Sequence, residues 1–298
     1  MRRMTRAVFA GLTTLDIIQS VERVPSSNEK VAALEFLVVA GGPAANAAVA
    51  FAHVGGRPTL TTALPDHPLT EPIVSDLAAC GVELQVAADY AGPPITASIL
   101  VTKSTGDRAV ISPTGTATAE NPVPHEMPSL DGVGAVLIDG YFRAIAAPIA
   151  AQARERGIPV ILDAGSVKHY TDEVARMADI AVVSADFAPA GSGTTPQDVV
   201  DYLTFRGVRS CVITRGSDTI LYRTPTVSGE VDVPRVAVVD TLGAGDFFHG
   251  AFTWRIASLG SDDARLAEDL AFAAQVAGSS LGSFGTRAWL SAPPPHPA

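Results

Sequence analysis

The chain has 298 residues, 47% of them hydrophobic and 17% charged, which supplies apolar side chains for a sizeable core and excludes an intrinsically disordered protein. Against 31 Asp and Glu stand 21 Lys and Arg, a formal net charge of −10, and this excludes a general nucleic-acid binder working through a basic surface. Two cysteines, Cys80 and Cys211, with no CxxC pair argue against a disulfide framework or a structural zinc and fit a reducing, cytoplasmic setting.

Residues 1–6 are basic, but the apolar stretch after them is broken by Thr13, Thr14 and Asp16, so 8–10 read as a first buried strand and not as a signal peptide. Residues 36–56 carry no Asp, Glu, Lys or Arg. The Gly41-Gly42-Pro43 turn and Asn46 at their middle make a strand over 34–39 and a buried helix a better account than a membrane span. Pro43 suits the first helical position, and the helix should run to about His53 and stop at Gly55-Gly56. A strand over 59–63 and a helix over 71–80, ended by Gly81, follow. Residues 95–102 and 108–112 read as strands joined by the hairpin loop Lys103-Ser104-Thr105-Gly106-Asp107. With the segment 17–37 they should form a small β-sheet lid standing off the main body.

After a Pro-rich loop at 121–128, strands over 135–138, 159–162, 180–183 and 210–214 alternate with helices over 144–156, near 172–177 and over 195–205. Residues 231–239 should close the strand set, with one helix starting near Gly245 and another over 261–281. On the last, Leu266, Leu270, Ala273 and Ala277 share one face. The tail, 291–298, is Pro-rich and expected to fray. Short strands alternating with helices predict an α/β fold with a mostly parallel sheet covered on both faces. We expect one domain over 1–290, with the lid segments 17–37 and 95–112 inserted in it.

The densest chemistry lies in Asp240-Thr241-Leu242-Gly243-Ala244-Gly245-Asp246. Two glycines flanking an alanine just before a helix leave backbone N–H groups open, and such a turn binds an anion through its donors and the helix dipole. A carboxylate there would repel a phosphate, unless it takes the proton of a hydroxyl that attacks a phosphoryl group held by those amides. The simpler alternative is that Asp246 caps the helix. The chain has no GxxxxGK[ST] loop and no GxGxxG fingerprint.

This stretch resembles the C-terminal signature of the ribokinase-like (PfkB) carbohydrate kinases. Gly41-Gly42-Pro43-Ala44-Ala45-Asn46 resembles the family's sugar-binding turn, and Gly11-Leu-Thr-Thr-Leu-Asp16 its first strand with a sugar-binding Asp. The likeness runs from Val8 to about Phe284. It implies a ribokinase-like three-layer α/β/α fold with the lid over the sugar. It implies Asp246 as general base, the amides of Gly243, Ala244 and Gly245 as anion hole, and Asp16, Gly41, Gly42 and Asn46 as sugar ligands.

Thr214-Arg215-Gly216-Ser217 resembles the family's nucleotide-phosphate turn, with Thr219 in place of its last glycine. Thr214, Gly216, Ser217 and Thr241 are thereby candidates for the phosphates, and Ala273, Val276 and Ala277 for the adenine, although core packing explains those three equally well. Where many relatives carry Asn-x-x-Glu, this chain has Ser184-Ala185-Asp186-Phe187. The implied cofactors are ATP and Mg²⁺, the ion held mainly by water and nucleotide oxygens, with a monovalent cation as a further candidate and no metal-ligand residue named. His249, three residues after Asp246, reads as a packing residue.

The finer pattern points two ways. The run 234–246 with Gln275-Val-Ala-Gly278 looks like the ketohexokinase branch, whereas Gly-Gly-Pro-Ala-Ala and Gly245-Asp-Phe-Phe-His-Gly250 look like bacterial sulfofructose kinases. Lys30 and Arg108 stand where a cation would meet an anionic group on the substrate. The expectation is an ATP-dependent kinase of a ketose or related small sugar, with a nucleoside kinase and a catalytically silent binding protein as alternatives. No nucleic acid or membrane partner is expected, and the lid should pair two copies into a homodimer.

Overall fold

The computed structural model describes residues 4–113, 122–165, 167–168, 170–189, 191, 193 and 195–295, so part of the loop at 121–128 and of the tail lies outside the described residues. The first half of the chain runs β1 (Arg6–Ala10), β2 (Thr14–Val21), β3 (Glu35–Gly41), α1 (Pro43–His53), β4 (Arg57–Ala63), α2 (Glu71–Ala79), β5 (Glu83–Ala88), β6 (Thr96–Thr102) and β7 (Arg108–Ile111). The alternating part holds β8 (Ala135–Ile138), α3 (Arg143–Glu155), β9 (Val160–Ala164), α4 (Thr171–Ala175), β10 (Ile180–Ser184), α5 (Pro196–Phe205) and β11 (Ser210–Arg215). A hairpin, β12 (Asp218–Arg223) and β13 (Ser228–Val231), leads to α6 (Ala244–Leu259) and α7 (Leu266–Ser280).

The described strands make a nine-stranded sheet in the order β13-β12-β11-β10-β9-β8-β1-β4-β5 and a four-stranded sheet in the order β3-β2-β6-β7. Strands β11 back to β5 are parallel, and only β12 runs against them, β13 turning back to their direction. Buried apolar side chains alternate across this sheet with the period of two that a strand imposes. Phe9, Leu137, Ile161 and Val182 pack under α1, α2, α6 and α7, while Val8, Val136, Leu162 and Val183 pack under α3, α4 and α5. The result is the three-layer α/β/α architecture.

Local chemistry explains several element ends. Helix α1 starts with Pro43 at its first position after Gly42, whose φ of 96° is costly for any residue with a Cβ. Helix α5 is opened by a capping box: Asp198 N–H donates to the Thr195 hydroxyl, and Thr195 N–H donates back to the Asp198 carboxylate.

Two expectations are corrected. The strand over 231–239 ends where it was to begin: Val231 pairs with Ile220, and the segment beyond has no ladder. Pro234 there lacks an N–H, and Pro234 and Val236 lie against Gly278 of α7 instead. The last helix starts at Leu266 and not at 261, because Asp262 accepts from the Ala264 N–H and turns the chain first. The strands β5 and β12 were not expected at all. In the small sheet, β2 begins at Thr14, three residues before the expected lid boundary.

Candidate active site

Open α/β sheets place their sites at the carboxyl ends of parallel strands, and the candidate residues gather there. Asp139 follows β8, Asp163 is the last residue but one of β9, Ser184 ends β10, and Thr214, the last but one of β11, stands beside it. Asp139 is buried and accepts N–H bonds from Leu12 (2.8 Å), Ala44 (3.1 Å) and Tyr141 (2.9 Å). It therefore ties the end of β1 to the first turn of α1. Gly11 leaves room for it, since a Cβ there would lie 2.1 Å from the Asp139 carboxylate.

The glycine turn before α1 packs closely on β2. Asp16 on β2 is buried and pairs in register with Val39 of β3, and the Thr14 hydroxyl donates to its Oδ1 at 2.5 Å. A Cβ on Gly41 would sit 1.9 Å from Asp16 Oδ2, so only glycine lets this carboxyl stand where it does. Burial pushes the Asp16 carboxyl up to about 6, against the opposing Thr14 hydrogen bond and the Arg287 charge. Asn46, in the first turn of α1, donates its Nδ2–H to Asp246 Oδ2 at 2.9 Å. Two motifs 200 residues apart thus meet directly.

Asp246 lies in the first turn of α6, whose N-cap is Gly243 at φ 76°, and no side chain caps that helix. The capping alternative falls on this point: the half-buried carboxylate accepts from Asn46, leaving the amides of Gly243, Ala244 and Gly245 at an uncapped N-terminus. Gly245 is exposed, with nothing near its Cβ position. Burial and the neighbouring Asp163 carboxylate push Asp246 up to about 7, opposed by the Asn46 hydrogen bond, His249 and Arg108. Buried Asp240 braces the same loop, accepting from Leu242 N–H and Gly285 N–H at 2.9 Å each.

The lid reaches this loop. Arg108 Nη1 donates to the Thr241 hydroxyl at 3.1 Å, and that hydroxyl donates to Gly106 O at 3.2 Å. Arg108 therefore stands over the site with its charge felt at Asp246. Lys30, in contrast, is exposed in the loop between β2 and β3 with no ion pair among the described residues. On the nucleotide side, Gly216 (φ 62°) and Ser217 form the two-residue turn between β11 and β12, and the Thr214 hydroxyl donates to Val183 O at 3.3 Å. Arg215 turns back on its own hairpin, donating to Thr219 O at 2.7 Å. Of the adenine candidates, Ala273 and Val276 are 0% exposed and belong to the core under the sheet, so neither can face a base. Only Ala277 of the three keeps accessible surface, near Gly278 and the Pro234–Val236 segment.

The departure at 184–187 is real in space too. Ser184 donates its hydroxyl to Gly165 O at 2.8 Å, and Phe187 is buried edge-on to Tyr202. Among the described residues no group of three His, Cys, Asp or Glu side chains could hold a metal ion.

Sequence reasoning missed several residues. Arg287, after the last helix, is largely buried and binds Asp76 of α2 (Nη2 to Oδ2, 2.9 Å), Ala40 O (2.7 Å) and Asn46 Oδ1 (3.2 Å). Lys168 sits over the Tyr141 ring at 3.9 Å, and burial lowers its ammonium below the ordinary lysine range against the pull of Asp139 and Asp163. His249, read as packing, is buried with Nδ1 2.7 Å from Gly245 O and 3.3 Å from Asp163 Oδ2 and Nε2 3.2 Å from Val182 O. It holds the first turn of α6 against β9 and β10. No local pattern announces these residues, because the partners of Arg287 and Lys168, and of His249 beyond its own helix, lie far away in the chain.

Comparison with known proteins fits this geometry. The model of the pfkB family carbohydrate kinases matches residues 4–293. The chain belongs to that family. It is 26% identical over 294 residues to the ribokinase of Bacillus subtilis (strain 168), covering 95% of each protein. Among solved structures it resembles the ribokinase of Arabidopsis thaliana complexed with ribose and ATP (24% identity, TM-score 0.71, 95% of this chain and 94% of that one). It also resembles the adenosine kinase of Sinorhizobium meliloti (18% identity, TM-score 0.76, 96% of each). The pfkB-family chain is thus a ribokinase-like, ATP-dependent sugar or nucleoside kinase, a phosphotransferase with a hydroxyl acceptor. Among the described residues no helix is long and apolar enough to cross a membrane.

Proposed function

We propose that the acceptor is a hydroxyl of a small carbohydrate, a ketose or related sugar, and that Asp246 removes its proton as the γ-phosphoryl group of ATP moves onto its oxygen. One observation carries this: the 2.9 Å bond between Asn46 of the sugar turn and Asp246 of the anion-hole helix. It puts the groups that would hold the sugar within reach of the group that would activate it. Asp16 and Asn46 bind sugar hydroxyls, and Gly41 and Gly42 let the ring approach the backbone. The oxygen of Asp246 not held by Asn46 takes the proton, and a carboxyl lifted to about 7 holds it more readily than an ordinary aspartate.

The hydroxyl oxygen then forms its bond to the γ-phosphorus as the bond to ADP breaks. The amides of Gly243, Ala244 and Gly245 meet the charge on the transferring group. A divalent ion bound with ATP supplies charge neutralisation on the phosphates. Arg108, latched to Thr241, adds a cation from the lid, and the lid excludes water from the reacting oxygen. The outer face of the lid supports a pairing of two copies. Its strands align Ile17 with Val38 and Gln19 with Phe36, and Phe36, Val38 and Ile111 are exposed. An apolar sheet face of this kind needs a cover, and a second copy of the chain supplies one by two-fold symmetry.

The test is Asp246→Asn. Turnover should fall at least ~10²-fold while sugar binding, read as a thermal shift with a non-hydrolysable ATP analogue present, survives. Near-normal turnover in this variant refutes the mechanism. The same thermal-shift panel, with ketoses, ribose and adenosine side by side, decides the acceptor: a shift with adenosine alone assigns the chain to nucleosides.

A further inference from the structure

We infer that Arg287 is a positioning residue that locks the Asn46 amide so that it can only donate to Asp246. The inference rests on Asp246 as the base. The Arg287 guanidinium donates and never accepts, so it must face the amide oxygen; its Nη1 lies 3.2 Å from Asn46 Oδ1. That leaves the amide nitrogen to face Asp246 Oδ2, where it lies at 2.9 Å. Without the lock the amide can turn over and present its oxygen to a protonated Asp246, which favours the neutral acid over the base.

Arg287 is itself fixed from two sides. Its Nε and Nη2 bind Asp76, its Nη2 also donates to Ala40 O, and Asp76 Oδ2 accepts from Ala40 N–H at 3.1 Å. The arginine and aspartate thereby hold both polar groups of Ala40, the residue before Gly41, so one ion pair sets the sugar turn and the amide together. The charged and titratable groups around Asp246 are few. Asp163 faces it from β9, His249 from α6 itself and Arg108 from β7, and α1 contributes only the neutral Asn46. The buried Asp16 on β2 feels the Arg287 charge.

The experiment is the pH dependence of kcat/KM for Arg287→Gln, Arg287→Lys, the double variant Asp76→Asn/Arg287→Gln, and Asp246→Asn. Loss of the lock should move the acid limb up by about one pH unit, lowering kcat/KM about five-fold at pH 7 and about ten-fold well below the limb, the effect of one hydrogen bond to an ionised carboxylate. The double variant removes the two opposite charges together and leaves no lone buried charge, so a shift there comes from the amide and not from a lost cation. Arg287→Lys keeps a donor-only group for Asn46 and should bring the limb back toward wild type. A folded double variant whose profile superimposes on wild type, or a lysine variant no better than the glutamine one, overturns the inference. Substantial turnover in Asp246→Asn sinks the base reading itself, whatever Arg287 does.

Discussion

The bond from Asn46 to Asp246 depends on how closely two helices approach, and that distance is set by a glycine. Gly250 lies on α6 one turn after Asp246, against Ala47 of α1, the residue after Asn46. A Cβ at Gly250 would stand 2.1 Å from Ala47 O and 2.8 Å from Ala50 Cβ. Ordinary contact needs about 3.4 Å, so Gly250→Ala must part the helices by roughly 1 Å, since α1 and α6 are packed into one core and neither backbone can yield alone. Overpacking of this kind costs about 1–3 kcal/mol of stability. The same displacement stretches the 2.9 Å bond beyond hydrogen-bonding range and misplaces the base, and a misplacement near 1 Å lowers kcat/KM by about 10²-fold. The assays are thermal melting and steady-state kinetics with the sugar that the binding panel selects. Gly245→Ala, where nothing lies near the Cβ position, is the steric control and should melt close to wild type. Wild-type melting and kinetics for Gly250→Ala would refute the helix-spacing argument outright.

Two further predictions follow from the same geometry. If the lid face pairs two copies, Phe36→Lys or Ile111→Lys should convert a dimer to a monomer in light scattering at micromolar concentration, and a wild-type monomer there defeats the pairing. The buried carboxyls of Asp16 and Asp139 each titrate near 6 when folded against an ordinary 3.8, so each favours the folded state most below about pH 4, and that contribution is lost as pH rises through 6. The loss amounts to about 3 kcal/mol per group. Urea unfolding of Asp16→Asn should therefore show a smaller fall in stability between pH 4 and 7 than wild type, and parallel curves would show that burial does not hold these groups protonated.

What the sequence made legible was local. Helix α1 follows from Gly42-Pro43 at one end and Gly55-Gly56 at the other, and the anion-hole loop follows from glycines that stand next to one another. The strand β12 was illegible because the sequence marks its ends with Asp218 and Arg223 and it has a charged hairpin neighbour. Edge strand β5 carries Glu83 and Gln85, which need no partner sheet face. On α7, periodicity revealed that Ala273 and Ala277 share a side but not which part of that side is covered, and the core claims Ala273. Arg287, Asp76 and Asp139 lay beyond reach for a different reason. Apart from the local bond between Asp139 and Tyr141, the partners named for them are 36 to 247 residues away, so their meaning exists only once the chain has folded.

Two helix N-termini meet at the bond between Asn46 and Asp246, and the chain treats them in opposite ways. The first turn of α1 is already answered: buried Asp139 accepts from Ala44 N–H, so a protein carboxylate meets the positive end of that helix. A second anion is not favoured there, which agrees with the proposal that Asp16 and Asn46 meet hydroxyls at this turn. The first turn of α6 has no side-chain cap, because the one acid within reach, Asp246, is drawn off sideways by Asn46. Ala244 N–H lies 3.4 Å from Thr241 O, and in the proposed mechanism the amides of this turn meet the anion. On the proposed mechanism, the division between a sugar side and a phosphate side is set by which helix has its own carboxylate, and Asn46 serves it twice, by holding Asp246 and by keeping that carboxylate off the amides of α6.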